Sequence, residues 1–129
     1  MCSSDLAEMF QHTKENETEN EKWLVEGAGG VLVPLNDTQL MIDLMALLGL
    51  PVLVVGLSTL GTINHTLLTI EALRRRGLVV AGVVLSGDSN PENEAAISQH
   101  GHVEVASIYP ADGKYIACPR NERWLEYLR

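Results

Sequence analysis

The sequence has little positive charge. Nine Lys and Arg residues stand against 17 Asp and Glu residues, for a formal net charge of -8 at pH 7 with His neutral. Nucleic acids and anionic membranes are bound through basic surfaces, and this composition provides none. The acid is concentrated in "HTKENETENEK", residues 12–22. We therefore expect neither a nucleic acid nor a membrane as a partner.

Cysteine and long apolar runs are also scarce. Cys2 and Cys118 are too few for a disulfide framework and lack the spacing of a metal site. The longest apolar stretch, residues 40–60, is interrupted by Asp43, Gly49 and Pro51. It therefore falls short of the run of about 20 apolar residues that a membrane span requires. The sequence predicts a soluble, cytoplasmic protein.

The length and the first residues predict how the chain is organised. A chain of 129 residues that is 46% hydrophobic has the size of one domain with one core. The opening "MCSSDL" is what a sequencing-library adapter would encode from a GTG start, so we expect an assembly scar and a natural gene that begins further upstream. We expect an adapter-derived start with an acidic helix or linker at 1–22, an α/β domain at 23–110, and a tail with a terminal helix at 111–129.

From residue 23 onward, strand and helix patterns alternate. Short apolar runs predict four strands, at residues 23–26, 51–57, 78–86 and 102–108. Helical spacing predicts three helices between them, with starts at Asp37, Thr62 and Asn90 and ends at Gly49, Gly77 and Gly101. This alternation predicts an α/β fold, a parallel sheet with helices on both faces.

The first candidate site is Glu26 with the glycine-rich loop that follows it, Gly27, Ala28, Gly29 and Gly30. In parallel α/β sheets, ligands bind beyond the carboxyl ends of the strands. A carboxylate there can hold Mg²⁺ opposite a phosphate that small residues allow to approach. The alternative is that Glu26 only caps or solvates a turn. A single Glu before glycines leaves both interpretations open.

The second candidate site is the helix start "LGTIN". Free N–H groups at a helix N-terminus bind carboxylate or phosphate, and Gly61 allows a ligand to come close. Asn64 adds a directed side-chain donor. The alternative is that Thr62 is an ordinary N-cap and Asn64 is solvated. His65 and the "RRR" run at 74–76 are interpreted as helix surface.

The third candidate site is Ser86 to Asp88, at the end of a predicted strand. These residues could contact a nucleotide base or ribose, whereas Asn90 and Pro91 are explained as a helix cap and a first-turn residue. No arrangement of His, Ser and Asp predicts a nucleophilic triad.

Three segments together resemble one family. "VEGAGGVLVPLN", "LPVLVVGLSTLGTINHTLLTIEALRRRGLVVAGVVLSG" and "NPENEAAI", in this order and at these separations, resemble the carboxyl-terminal half of ATP-dependent dethiobiotin synthetase, the penultimate enzyme of biotin synthesis. The resemblance covers residues 23–110. It implies a P-loop-type parallel α/β fold, a homodimer, and a reaction of 7,8-diaminononanoate with CO₂ and MgATP.

The resemblance also implies a role for each candidate residue. Glu26 matches the family's acidic Mg²⁺ ligand, and residues 27–30 match the loop that closes around the phosphates and the diamine end. In the family, a helix start of the partner subunit receives the substrate carboxylate. The residues that match this helix start are Leu60, Gly61, Thr62, Ile63 and Asn64. Ser86 and Gly87 fall where many members place an asparagine that reads adenine. Since Ser86 cannot make the same paired amide contacts, base specificity is open.

The family's P-loop, G-x-x-x-x-G-K-[ST], is not matched in this sequence. The one Gly-Lys pair, Gly113 and Lys114, is followed by Tyr115. Without the P-loop lysine, the β- and γ-phosphates lose their main ligands, so we assign no catalytic residue. A gene cut short would explain both this and the adapter-like start. We expect residues 1–129 alone to be marginally stable or to aggregate, and not to hydrolyse ATP.

Two other functions stay open. The first alternative is the synthetase domain of a cobyrinate-type amidotransferase, from the same P-loop group, which can contain a segment similar to "VEGAGG". The segment "GTINHTLLT" argues against this alternative. The second alternative is a short protein without catalytic activity, either a dimerisation partner or a product of gene decay. An upstream reading frame that encodes a P-loop would separate truncation from a true short protein.

Overall fold

A computed structural model describes residue 8, residues 24–111 and residues 114–119, with side chains for residue 8 and residues 24–108. The chain divides into two compact units, Met1–Leu50 and Pro51–Arg129. The expectation that residues 23–110 form one domain stays a prediction.

Among the described residues of the first unit, a helix, α1, spans Met41–Leu48. The Leu40 N–H donates to Oδ2 of Asp43 at 2.8 Å, which satisfies one of the free amides at the helix start. At the other end, Gly49 is left-handed with φ 65° and its N–H donates to the Met45 carbonyl at 3.0 Å. The predicted helix end at Gly49 is therefore confirmed.

The predicted start of α1 at Asp37 is wrong. The side-chain oxygen of Asn36 accepts the backbone N–H groups of Thr38 and Gln39, each at 3.0 Å. This side-chain turn offers the backbone an alternative to the helix, because asparagine competes well for nearby amides. The chain therefore makes a separate loop before the helix begins.

The strand predicted at residues 23–26 is wrong for the part that the structure describes. Leu24, Val25 and Glu26 have no regular secondary structure and are exposed, and Trp23 lies outside the described residues. A strand is stabilised by pairing with a neighbour, and none of the described residues pairs with these three. Glu26 therefore does not stand at the end of a strand.

In the second unit, the residues that the structure describes form a sheet with two helices. Its elements are β1 Val52–Leu57, α2 Thr62–Arg75, β2 Val80–Ser86, α3 Pro91–Gly101, β3 Val105–Ala111 and β4 Lys114–Pro119. The strand order is β1-β2-β3-β4. β1, β2 and β3 are parallel, and β4 is antiparallel to β3. The predicted α/β class with a parallel sheet is confirmed.

Both helices of this unit pack on the same face of the sheet. α2 packs on β1, β2 and α3, while α3 packs on β3. This placement follows from consecutive parallel strands joined by right-handed crossovers. On the opposite face, Val55 and Leu57 of β1 are exposed. A helix on that second face was also expected, and residues 51–111 place none there.

The start and the end of α3 are capped in different ways. The predicted cap at Asn90 is confirmed: its side-chain oxygen accepts the Asn93 N–H at 3.1 Å. Gly101, predicted to end the helix, is its last helical residue, and His102 takes the left-handed turn with φ 45°. A Cβ on Gly101 would lie 3.0 Å from Cδ1 of Ile70. Glycine is therefore used there for close helix packing rather than for the turn.

β4 was not predicted. Its register pairs Ala111 with Lys114, which leaves Asp112 and Gly113 between the two strands. An Asp-Gly pair between two apolar segments is a strong hairpin signal that could have identified this strand. The terminal helix predicted in "NERWLEYLR" lies outside the described residues. None of the helices in the described part of the chain is long and apolar enough to cross a membrane.

Candidate functional site

The carboxyl ends of the three parallel strands lie side by side. Leu57 pairs with Ser86, and Ser86 pairs with Ile108. Beyond the ladder, the Ser58 N–H donates to the Ser86 carbonyl at 2.8 Å and the Gly87 N–H donates to the Ile108 carbonyl at 3.0 Å. The structure thus brings the third candidate site, Ser86 and Gly87, next to the segment that leads into the second.

At the start of α2, two backbone donors have no partner within the described part of the chain. Gly61 is its N-cap, left-handed with φ 89°, and no side chain of the described residues caps the helix. The Thr62 N–H donates to the Thr59 carbonyl at 3.1 Å, whereas the N–H groups of Ile63 and Asn64 reach no carbonyl in the described part of the chain. The alternative that Thr62 is an ordinary N-cap is wrong, because Thr62 is the first helical residue and is buried.

The residues around these two amides face outward. Leu60 is fully exposed at 102%, Gly61 and Asn64 are exposed, and Ile63 is half-buried. A left-handed residue carries strain for any side chain, so glycine at position 61 both permits the turn and keeps the amides accessible. The helix start can therefore receive an anion from solvent or from another subunit.

A cavity of about 270 Å³ lies between β1 and α2. It is lined by Gly56, Leu57, Thr59, Thr62, His65, Thr66 and Thr69. Thr62 and Thr66 are only 5% and 3% exposed. The spacing of apolar residues in the sequence predicts that Ile63, Leu67, Ile70 and Leu73 of this helix face inward. Ile70 and Leu73 are buried as expected, but Ile63 and Leu67 are half-buried.

Sequence reasoning missed the two buried threonines. Their spacing, i and i+4, places both hydroxyl groups on one helix face. That face meets Gly56 of β1, where a Cβ would lie 3.5 Å from Oγ1 of Thr66 and 3.8 Å from Oγ1 of Thr62. A glycine inside an apolar strand signals close approach of another group, and this signal could have identified the cavity.

A buried hydroxyl oxygen, that of Ser58, lies beside the third candidate site. Oγ of Ser58 is buried and has no hydrogen-bond partner among the described residues. Cβ of Ser58 lies 3.7 Å from the position that a Cβ on Gly87 would take, and Gly87 is left-handed with φ 120°. Ser86 and Gly87 are half-buried. A ligand at this strand end would therefore meet backbone groups and a hydroxyl group rather than a side-chain amide.

The first candidate site belongs to the other unit. Glu26 is exposed, as are Ala28, Gly29 and Gly30. A Cβ on Gly27 would lie 3.1 Å from Sδ of Met41, and Gly29 is left-handed with φ 80°. Packing and backbone conformation thus explain Gly27 and Gly29. Gly30 has no neighbouring atom within 4 Å of a Cβ position, so its surroundings are open to a ligand.

A metal site built from protein groups alone is not found in the described part of the chain, which holds no cluster of three or more His, Cys, Asp or Glu side chains. Glu26 forms no ion pair with any other residue that the structure describes. Mg²⁺ is commonly held by one or two carboxylates together with phosphate oxygens and water. Glu26 therefore fits Mg²⁺ only as a partner of a bound phosphate.

A parallel α/β sheet with an anion-binding helix start at its carboxyl edge is typical of nucleotide-dependent enzymes. The model of one family, the AAA domain, matches residues 2–116 of this chain. The chain belongs to that family. This match begins earlier in the chain than the resemblance expected for residues 23–110.

The resemblance to ATP-dependent dethiobiotin synthetases is confirmed. The chain is 57% identical over 88 residues to the ATP-dependent dethiobiotin synthetase BioD of Paramagnetospirillum magneticum, which covers 67% of this chain and 43% of that protein. It is 48% identical over 103 residues to BioD of Neorickettsia sennetsu, 76% of this chain and 41% of that one. The BioD of Lawsonia intracellularis is 46% identical over 87 residues, with shares of 67% and 43%. The chain thus spans less than half the length of these relatives.

Proposed function

We propose that this chain takes part in ATP-dependent dethiobiotin synthesis, in which 7,8-diaminononanoate, CO₂ and MgATP give dethiobiotin. The observation that carries the proposal is the start of α2, where the N–H groups of Ile63 and Asn64 reach no acceptor among the described residues and no described side chain caps the helix. The relatives that share this segment are named for that activity.

The start of α2 binds the substrate carboxylate in this proposal. Two backbone amides donate to the carboxylate oxygens, and the partial positive charge of the helix N-terminus adds to the attraction. The exposed side chain of Asn64 supplies a further donor. These donors are fixed by the backbone before the ligand arrives, so little entropy is lost when the ligand binds.

Glu26 and the loop at residues 27–30 serve the phosphate end. In the reaction, one amine of the substrate and CO₂ form a carbamate, which takes the γ-phosphoryl group of ATP. The second amine then attacks the activated carbon, and phosphate leaves as the ureido ring closes. Glu26 would hold the Mg²⁺, which would supply positive charge opposite the phosphates, and Gly30 leaves room for phosphate oxygens. Ser86 and Gly87 contact the base.

We propose a cytoplasmic homodimer. Leu60 stands at the tip of the turn before α2 and exposes its whole apolar side chain. A large apolar residue in that position is suited to burial at an interface between subunits. The adjoining amides would then reach a substrate whose diamine end lies on the other subunit.

The substitution Asn64→Asp tests the carboxylate site. An acidic residue in the first turn interacts favourably with the helix dipole, so we expect the fold to be retained. Its negative charge beside the amides would, however, repel the carboxylate of the substrate. We expect isothermal titration to show 7,8-diaminononanoate binding to the full chain at least about tenfold more weakly after this change, which corresponds to about 1.4 kcal/mol. Asn90→Asp, the same change at the start of α3, is the matched control and should leave binding unchanged.

A second titration uses a vicinal diamine of equal chain length without a carboxyl group. We expect it not to bind at the start of α2. Equal affinity for this diamine and for 7,8-diaminononanoate, or unchanged binding to Asn64→Asp, would refute the assignment of the helix start as the carboxylate site.

A further inference from the structure

All the Lys and Arg side chains that the structure describes lie in three consecutive residues, Arg74 to Arg76, at the end of α2. The Asp and Glu side chains of the same part of the chain are spread along its sequence. The whole chain has a formal net charge of -8. The end of α2 is therefore a positively charged region on an acidic protein, and such a region attracts anions.

A cleft of about 500 Å³ lies between α2 and α3 beside these arginines. It is lined by Leu67, Ile70, Glu71, Arg74, Arg75, His100 and Gly101. Its volume falls within the range of about 300–1,000 Å³ that is typical of small-molecule sites. The lining residues of α2 belong to the second half of that helix, so the cleft is separate from the candidate site at the helix start.

The floor of the cleft is apolar. Gly101 of α3 is buried, and a Cβ there would lie 3.0 Å from Cδ1 of Ile70 and 3.3 Å from Cδ2 of Leu67. Ile70 is buried as well, whereas Leu67 is half-buried and keeps part of its side chain accessible. The apolar part of a ligand can therefore leave water by packing on this floor.

Arg74 supplies donors whose position is already fixed. Its Nη1 donates to the Gly101 carbonyl at 2.7 Å and its Nη2 donates to the His102 carbonyl at 3.1 Å. A guanidinium group has five N–H donors, so three of them take no part in these two bonds. Because the two bonds hold the group between α2 and α3, little entropy is lost when it binds a ligand.

Arg75 and Glu71 form an exposed ion pair that a ligand can replace. Nη2 of Arg75 lies 2.6 Å from Oε1 of Glu71, and the two side chains are 77% and 56% exposed. An ion pair this exposed contributes little to stability. Arg75 can therefore exchange Glu71 for the carboxylate of a ligand, and the exposed imidazole of His100 adds a ring nitrogen on the side of α3.

The charges of the lining favour a ligand with a single negative charge. Arg74 and Arg75 are opposed by Glu71, which leaves a small positive charge. A carboxylate matches this balance and also matches the planar geometry of a guanidinium group. A dianion such as phosphate meets stronger repulsion from Glu71 than a carboxylate does.

We propose that this cleft binds an alkyl carboxylate, a monoanion with an apolar chain. The carboxylate lies between Arg74 and Arg75, and the alkyl chain lies on Leu67 and Ile70. This site is independent of the proposed function, in which none of these four residues takes part.

The test follows the backbone amide signals of the full chain by NMR during titration with sodium hexanoate at constant ionic strength. Sodium acetate tests the carboxylate alone, and 1-hexanol tests the alkyl chain alone. We expect hexanoate to shift the amides of Ile70 and Gly101. It should bind about tenfold or more tightly than acetate, because four further CH₂ groups are partly buried, and about threefold or more tightly than hexanol.

Three substitutions at exposed positions of α2 distinguish the cleft from the overall charge of the chain. Arg75→Gln removes a cation from the lining and should weaken hexanoate binding about threefold. Glu71→Gln removes the opposing carboxylate and should strengthen binding by a similar factor. Arg76→Gln is the matched control, because it changes the net charge equally but lies outside the lining, and it should leave binding unchanged. Thermal melts establish that each variant is folded.

Each outcome decides the proposal. Weaker binding to Arg75→Gln together with unchanged binding to Arg76→Gln supports the cleft. Equal losses for these two variants would show that only the net charge matters, and unchanged binding to Arg75→Gln would exclude its side chain; either result overturns the proposal. Acetate or hexanol that binds as tightly as hexanoate overturns it too, as does the absence of any shift at Ile70 and Gly101.

Discussion

Replacement of Arg74 by alanine should destabilise the protein clearly more than the same change at Arg75. The two arginines are neighbours in the last turn of α2. Arg74 reaches across to α3, where Nη1 donates to the Gly101 carbonyl at 2.7 Å and Nη2 donates to the His102 carbonyl at 3.1 Å. Arg75 instead pairs with Glu71 of its own helix at 2.6 Å.

The magnitudes follow from these partners. A hydrogen bond from a charged donor contributes about 1.5–3 kcal/mol when buried. The bond to Gly101 is part-buried and the bond to His102 is exposed, so we expect Arg74→Ala to cost about 1–2 kcal/mol. The side chains of Arg75 and Glu71 are 77% and 56% exposed, and an exposed pair of this spacing contributes about 0.3–0.5 kcal/mol.

Comparison of the two variants removes the effects that they share. Both lose a cation from the last helical turn and both gain the helix propensity of alanine, so these contributions cancel. The remaining difference measures how Arg74 satisfies the terminal carbonyl groups of α3. Chemical denaturation with urea, followed by circular dichroism, gives the free energy of unfolding of each variant.

In a thermal melt, the expected difference of about 1 kcal/mol corresponds to about 4–8 °C for a unit of this size. Equal losses for the two variants would refute the assignment of Arg74 as a cap of α3. The interpretation of residues 74–76 as helix surface would then suffice.

Two further substitutions in the same unit test its packing. Ser107→Ala removes the donor to the buried carboxylate of Glu94, a bond of 2.6 Å between β3 and α3, and should lower the free energy of unfolding by about 1.5–3 kcal/mol in urea denaturation; an unchanged midpoint would contradict this. Gly101→Ala gains up to about 1 kcal/mol of helix propensity but places a Cβ 3.0 Å from Cδ1 of Ile70, and overpacking costs about 1–3 kcal/mol. We expect net destabilisation in a thermal melt, and a more stable variant would show that α2 and α3 can separate at little cost.

The parallel part of the sheet could be predicted from the sequence because its signals are local. Residues 51–57 and 78–86 are short apolar runs bounded by turn residues, as is typical of buried strands. Asn90 and Pro91 are adjacent in the sequence and together indicate a helix start. The strand expected at residues 23–26 had the same apolar character at Leu24 and Val25. None of the described residues pairs with it, and a pairing partner is a property of the whole fold that a short run does not encode.

The helix start of α2 could also be predicted, since Gly61 before a helical pattern indicates accessible amides. The inward face of the same helix could not. Apolar periodicity favoured Ile63 and Leu67, yet Thr62 and Thr66 are the buried pair. Hydropathy ranks a threonine below an isoleucine everywhere, whereas burial at these positions is decided by the strand that faces them.

Gly56 decides the environment of those two threonines. It is in register with Leu85 on β2, and a Cβ at position 56 would contact Oγ1 of Thr66 and Oγ1 of Thr62 at 3.5 and 3.8 Å. A larger apolar side chain at position 56 would occupy the space beside the two hydroxyl groups and would raise the cost of burying them. The polarity of one helix face thus depends on a single glycine in the neighbouring strand. Periodicity within the helix cannot reveal such a dependence, because it compares each residue only with others on the same element.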